Sequence, residues 1–181
     1  MTGDLDPATQ FEELYDREYI SVYRSIRAVV LDSAAAEDLA QETFVRAYRA
    51  RHRYRPTAPP GAWLHRIGVN LAISWLRRQR LARVLPVRLW TSPADNSYDA
   101  SDARSAVELA LAALSPKLRA AVVLHHYQGL TREEIAVVLG IPAGTVASRM
   151  NKALTIMRKI LASDPEFIEL RSPDEGFLRE R

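Results

Sequence analysis

Cysteine is absent from this 181-residue chain. That excludes a disulfide framework, a thiolate metal site and a thiol nucleophile, and leaves any redox sensing to a partner. Glycine is sparse, at seven residues, and no apolar–polar alternation persists beyond a few positions, so strand signals are scarce. No apolar run approaches the length of a membrane span and no basic-then-apolar leader opens the chain, which argues against membrane insertion and secretion and for the cytoplasm. The four histidines, His52, His65, His125 and His126, lack the carboxylate or serine partners of a catalytic triad. Adjacent helical residues point apart, so His125 and His126 do not make a metal pair. Neither catalysis nor a cofactor is expected.

The most informative absence is of acid. The net charge of +3 is mild, but residues 1–42 hold ten acids and three bases, whereas Thr43 to Ala94 hold eleven arginines and no acid at all. Ordinary solvated surfaces mix signs. A 52-residue acid-free block points to a polyanionic partner.

What remains is rich in alanine, leucine and arginine, the composition of an all-α protein, long enough for one domain or two small ones. Residues 1–10 show no periodicity and read as a disordered lead-in. From Phe11 to about Leu31, the residues Phe11, Leu14, Tyr15, Tyr19, Val22, Tyr23 and Ile26 recur at helical spacing, which predicts one amphipathic helix. Asp32-Ser33 interrupts it. The helix from Ala35 to Ala50 has an inner stripe of Leu39, Ala40, Phe44, Ala47 and Tyr48, with Glu37, Asp38, Gln41 and Glu42 outside, then Arg46 and Arg49. Acids first and bases last also suit the helix dipole of any stable helix.

Three prolines and a glycine in RHRYRPTAPPGA, residues 51–62, predict a stiff loop, basic at its entry through Arg53 and Arg55. The next helix, Trp63 to about Arg80, buries Leu64, Ile67, Leu71 and Trp75. Arg66, Asn70, Ser74 and Arg77 share its opposite face, with Arg78 beside them. Arginine for phosphates and asparagine for a base edge, next to a rigid loop, suit single-stranded or melted DNA. Trp63 and Trp75 could stack on bases, but large aromatics at core spacing more often pack in the core. Residues 81–104 lose periodicity and shift to Pro, Ser, Asp and Asn, the signature of a linker. A helix over about 103–114 opens a second domain.

Residues 114–161 predict three further helices. Ser115-Pro116 supplies an N-cap and first-turn proline. Thr131 and Glu134 form a capping box, and Gly140 stops that helix in the left-handed region. After Gly140-Ile141-Pro142-Ala143, a last helix buries Val146, Met150, Leu154 and Met157 and presents Thr145, Ser148, Arg149 and Lys152. Helix, glycine turn, and a second helix with a hydroxylic and basic face is the helix-turn-helix pattern for the DNA major groove. The tail 162–181 carries two prolines and scattered apolar residues, either disordered or docked.

Three stretches together, DLAQETFVRAYRA at 38–50, WLHRIGVNLAISWLRR at 63–78 and LSPKLRAAVVLHHYQGLTREEIAVVLGIPAGTVASRMNKAL at 114–154, resemble bacterial sigma factors of the sigma-70 family, in the extracytoplasmic-function group that keeps only regions two and four. The resemblance implies two small helical domains, region two over 11–80 and region four over 105–161, joined by a flexible linker. It implies that Asp38, Gln41, Glu42 and Arg46 contact the β′ clamp helices of core RNA polymerase and that region four meets the β flap. It implies that loop 52–62 and the helix from Trp63 to Arg78 melt and read the minus-ten promoter element, with Arg53, Arg55, Arg66, Asn70, Ser74, Arg77 and Arg78 on the DNA. The helix from Ala143 would read the minus-thirty-five element through Thr145, Ser148, Arg149 and Lys152, the linker would thread the RNA exit path, and an anti-sigma factor would cover these surfaces. Two positions depart from the family pattern: Pro142 replaces the usual cap of the recognition helix, and Ser74 stands where aspartate is common. The alternative is a stand-alone helix-turn-helix regulator on duplex DNA, which gives the acid-free block and proline loop no task. A helical interaction protein would make the charge segregation a coincidence.

Overall fold

The computed structural model describes residues 5–55, 58–84 and 106–162. Their regular structure is helical throughout: α1 Phe11–Val30, α2 Ser33–Ala50, a 3-10 turn Arg51–Arg53, α3 Pro60–Val84, α4 Ala106–Ala112, α5 Pro116–His126, α6 Arg132–Leu139 and α7 Ala143–Leu161. Helices α1, α2 and α3 pack on one another, and α7 gathers α4, α5 and α6 around it. The expected all-α chain with two helical modules is what forms. Linker residues 85–104 and tail residues 163–181 lie outside the described residues.

Residues 5–10 are built as a turn, a departure from the expected disordered lead-in. The Asp6 carboxylate accepts hydrogen bonds from the Ala8 N–H and the Thr9 hydroxyl, and the Asp6 N–H donates to the Gln10 side chain. Leu5 and Pro7 are buried, so apolar burial holds a segment too short to show periodicity. Helix α1 ends at Leu31, which adopts a left-handed φ of 61° and donates its N–H to the Arg27 carbonyl. A leucine there costs about 1–2 kcal/mol of backbone strain, tolerated because its side chain is buried. Asp32 then caps α2, its carboxylate accepting from the Ala35 N–H at 2.9 Å. The break read from Asp32-Ser33 is therefore two residues long, Leu31 and Asp32, each of them a cap, and Ser33 already belongs to α2.

Helix α3 begins at Pro60, ahead of the expected Trp63, because a proline in the first turn sacrifices no hydrogen bond. It also runs past Arg80 to Val84, so the first four residues assigned to the linker are helical. Helix α4 spans Ala106–Ala112 and ends two residues before the expected Leu114, while positions 103–105 of the predicted helix lie outside the described residues. Ser115 occupies the N-cap position of α5 in extended geometry but its hydroxyl makes no capping bond; Pro116 alone marks the start. The Thr131–Glu134 capping box is complete in both directions, and Gly140 takes the left-handed φ of 63° that ends α6.

Gly68 sets how closely α3 approaches its partners. Interior glycine disfavours helix by about 1 kcal/mol relative to alanine, so its presence needs a reason. A Cβ there would lie 2.9 Å from Ile26 Cδ1 and 3.2 Å from Thr43 Oγ1. Both of those residues are fully buried, and Thr43 is tied through its hydroxyl to the Leu39 carbonyl at 2.7 Å. Gly68→Ala is expected to lower stability by roughly 1–3 kcal/mol through overpacking despite its better helix propensity. Urea unfolding checks this, and an equal or higher midpoint with unchanged slope would show that α3 can withdraw freely.

Candidate nucleic-acid interface

Three faces carry the residues singled out in the sequence. On α2, Asp38, Gln41 and Arg46 are exposed and Glu42 is half-buried. Arg46 Nε donates to Glu42 Oε1 at 2.6 Å, one helical turn apart. Gln41 also lines an open groove between α1 and α2 with Phe11, Tyr15, Phe44, Val45, Tyr48 and Arg49. Here the expected buried stripe fails: Tyr15 is 39% exposed and Tyr48 50%. Their rings stand on the groove edge, Tyr15 against Phe44 at 4.8 Å and Tyr48 against Phe11 at 5.2 Å. Helical spacing marks an apolar face but not how much of it a neighbour covers. The uncovered aromatic edge beside Gln41 was missed for that reason.

The basic loop is folded back onto the ends of its flanking helices. The Arg51 guanidinium lies 3.8 Å over the Tyr48 ring and donates to the Tyr48 carbonyl at 2.7 Å. Tyr54 stacks against Trp63 at 5.2 Å and its hydroxyl donates to the Ala58 carbonyl. Arg53 and Arg55 remain exposed at its surface. On α3, Arg66, Asn70, Arg77 and Arg78 are exposed along one face, while Ser74 is half-buried. Among the described residues, Arg66, Arg77 and Arg78 form no ion pair. Unneutralised guanidiniums are what a phosphate backbone displaces counterions to reach. Trp63 and Trp75 are half-buried against the core, as the core assignment expects.

The third face is on α7. Ser148 and Lys152 are exposed, Thr145 and Arg149 half-buried, and the four span two turns on one side. Ser148 Oγ donates to the Thr145 carbonyl at 3.0 Å. Pro142 holds the N-cap position in extended geometry with no side-chain bond, so the first-turn amides of α7 have no side-chain acceptor. The stripe behind them holds in its first half: Val146 and Met150 are buried, together with Ala153, whereas Leu154 and Met157 are half-buried.

His65 is on none of these faces. It points inward, 4% exposed, beside the Gln128 side chain, and its Nδ1 has no hydrogen-bond partner. Burial pushes its pKa down to about 4, with the Gln128 contact opposing in part. His125 Nδ1 instead meets the Leu130 carbonyl at 2.8 Å. Among the described residues, no helix is long and apolar enough to cross a membrane.

An acid-fronted helix, an arginine-lined helix and a helix-turn-helix thus lie on one chain of two helical modules. The comparisons with known proteins give the family. Sigma-70 region 2 matches residues 14–82 and Sigma-70, region 4 matches residues 104–157. The ECF RNA polymerase sigma factor SigE of Mycolicibacterium smegmatis is 37% identical over 89% of this chain and 65% of its own length. The RNA polymerase sigma-E factor of Streptomyces coelicolor is 32% identical over 85% of this chain and 87% of its own. The chain thus spans about two thirds of the first relative and most of the second. Among solved structures, the sigma factor RpoE of Bartonella quintana, crystallised with the anti-sigma factor NepR, shares the fold with a TM-score of 0.68 at 22% identity, covering 86% of this chain and 98% of that one. CnrH, in complex with the cytosolic domain of CnrY, gives 0.62 at 26% identity, covering 85% and 88%. The chain belongs to the sigma-70 family of RNA polymerase sigma factors, in its extracytoplasmic-function group.

The buried imidazole gives a pH signature. In the unfolded chain His65 binds a proton near its ordinary pKa of 6.5, whereas folded it stays neutral down to about 4. The unfolded state therefore holds more protons in that window, and stability falls as pH drops from 6.5 toward 4. The loss attributable to His65 is about 2 kcal/mol at pH 5. Comparing urea unfolding of wild type and His65→Leu at pH 7.5 and pH 5 isolates it; parallel pH dependence in both would show that His65 is not the titrating group.

Proposed function

We propose that this chain is a promoter-specificity subunit that binds core RNA polymerase and directs promoter recognition, melting and transcription initiation. In this reading region two covers 11–80 and region four 105–161. The outer face of α2, with Asp38, Gln41, Glu42 and Arg46, docks on the β′ clamp helices, and the aromatic groove edge of Tyr15, Val45 and Tyr48 adds an apolar anchor beside those polar contacts. Region four meets the β flap. Arg53 and Arg55 of the loop and Arg66, Asn70, Ser74, Arg77 and Arg78 of α3 hold the opened minus-ten strand. Arginines fix the backbone and the asparagine amide offers a donor and an acceptor to an unpaired base. Unpairing costs a few kcal/mol per base, so a strand-holding cationic face is the means of stabilising the melted state. On α7, Thr145, Ser148, Arg149 and Lys152 read the minus-thirty-five duplex. The chain acts in the cytoplasm, performs no catalysis of its own, and is held in check by an anti-sigma factor covering these faces, as the complex reported for the Bartonella quintana relative suggests.

The observation that carries this reading is the segregation of charge between α2 and α3. The two helices pack on each other, yet one carries exposed carboxylates and the other carries Arg66, Arg77 and Arg78, which form no ion pair among the described residues. A stand-alone duplex-binding regulator needs only α5 to α7 and leaves both faces unexplained.

Run-off transcription with core polymerase, with and without the chain, tests the proposal, and binding of a closed duplex with no association to core polymerase would refute it. Arg149→Ala is expected to weaken duplex binding by roughly 1–3 kcal/mol, five- to more than a hundredfold, while core association is unchanged. Glu42→Ala and Tyr48→Ala should weaken core association and leave duplex binding intact. Equal losses of both activities in folded variants would overturn the division of roles.

A further inference from the structure

Helix α3 begins behind a residue that cannot cap it. Pro59 accepts the first helical bond, from the Trp63 N–H at 3.1 Å, but has no side-chain oxygen to offer the amides of Gly61 and Ala62 in the first turn. A carboxylate reaches that turn from α1. A Cβ on Gly61 would lie 3.0 Å from Glu18 Oε2, 3.2 Å from its Cδ and 3.3 Å from Oε1, so the whole carboxyl group rests on the glycine. Glu18 is half-buried, and its Oε1 is held by Arg17 Nε at 3.0 Å. Negative charge is favoured at the N-terminal end of a helix, where the amides are unpaired and the dipole is positive. The φ of Gly61 is not left-handed, so the backbone does not call for glycine there; the space that Glu18 fills does. Gly144 is likewise second in its helix, α7, and a Cβ on it would meet nothing within 4 Å.

The turn against which Glu18 rests is the exit of the basic loop. At the entry, Arg51 is fastened to Tyr48. Nearer the exit, Tyr54 packs on Trp63 at 5.2 Å and its hydroxyl donates to the Ala58 carbonyl. Trp63 belongs to the same first turn of α3, so the Tyr54 contact is only as fixed as that turn. Arg53 and Arg55 flank Tyr54 and are exposed. We propose that Glu18 is a positioning residue for strand capture: through Gly61 it fixes the first turn of α3, and with it the loop that carries Arg53 and Arg55. A loop already held in one shape loses less freedom when a strand settles on it. The functional half of this inference rests on the reading above in which the loop holds the opened minus-ten strand; the contact between Glu18 and Gly61 does not.

Promoter opening by the chain with core polymerase can be followed through a fluorescent adenine analogue placed in the minus-ten element. On a fully paired promoter, Glu18→Ala is expected to slow opening about tenfold, with association to core polymerase unchanged. Glu18→Gln keeps the shape and loses the charge; it should slow opening about threefold and serves if the alanine variant folds poorly. On a template whose minus-ten strand is already unpaired, both variants should initiate within about twofold of wild type, because no unpairing then has to be driven. Gly61→Ala should match Glu18→Ala but add nothing to it in the double variant, where the space is vacant. In the free chain, amide hydrogen exchange over 58–64 should quicken about tenfold in Glu18→Ala and in Gly61→Ala, and exchange over 69–72 should stay as in wild type. Losses of equal size on both templates would reduce Glu18 to a structural role and overturn the proposal. So would unchanged exchange over 58–64, or a full further loss from Gly61→Ala in the Glu18→Ala background. A wild-type chain that initiates on neither template, with exchange responding as stated, would uphold the positioning contact and refute the proposed function instead.

Discussion

The close approach of α3 to α1 and α2 at Gly68 is the constraint on which the molecule is built. With a side chain excluded at that point, Ile26, Thr43 and the backbone of α3 meet at van der Waals distance, and three amphipathic helices share one core. Burial of that core fixes the rotation of each helix about its axis. Once the rotations are fixed, the carboxylates of α2 and the arginines of α3 have no choice but to face different directions. Two partners of opposite charge can then be addressed by one small bundle without the bundle neutralising itself.

The same packing explains the polar contacts between the modules. An isolated α1 would leave its last carbonyls to water; here Arg119 of the second module takes one of them. An isolated α3 would leave His65 hydrated, whereas burial beside Gln128 keeps it neutral. These groups are satisfied or desolvated only while the modules stay together, and they stand beside an apolar core that runs through both modules. Hydrogen bonds that exchange with water contribute modestly to stability but discriminate sharply in geometry.

Where the sequence misled, the reason is physical in each case. Tyr15 and Tyr48 sit at the spacing of a buried stripe, but the stripe of α1 and α2 is wider than the surface their neighbours cover, so the edge stays in solvent. Leu31 occupies a conformation usually given to glycine, and no propensity points to it because buried apolar contact, not local preference, stabilises it. His65 has no role assigned from the sequence; its inward rotation depends on which face of α3 its neighbours cover. The turn at Asp6 depends on Leu5 and Pro7 finding the core, a contact distant in sequence from anything that announces it.

What the chain determined by itself was local and periodic. The capping box at Thr131 and Glu134, the left-handed stop at Gly140, the prolines at the first turns of α3 and α5 and the arginine block without acid need only neighbours a few residues away, or simple composition, to have their effect. From these follow the all-α class, the helix-turn-helix and the basic character of α3. Only the tertiary structure decided which aromatic residues remain exposed, which histidine is neutral, and that the two modules meet through Gln128, Ser21, Ser25 and Arg119. Those outcomes depend on contacts between residues about a hundred positions apart, and such contacts exist only after several helices have fixed one another's rotation and depth.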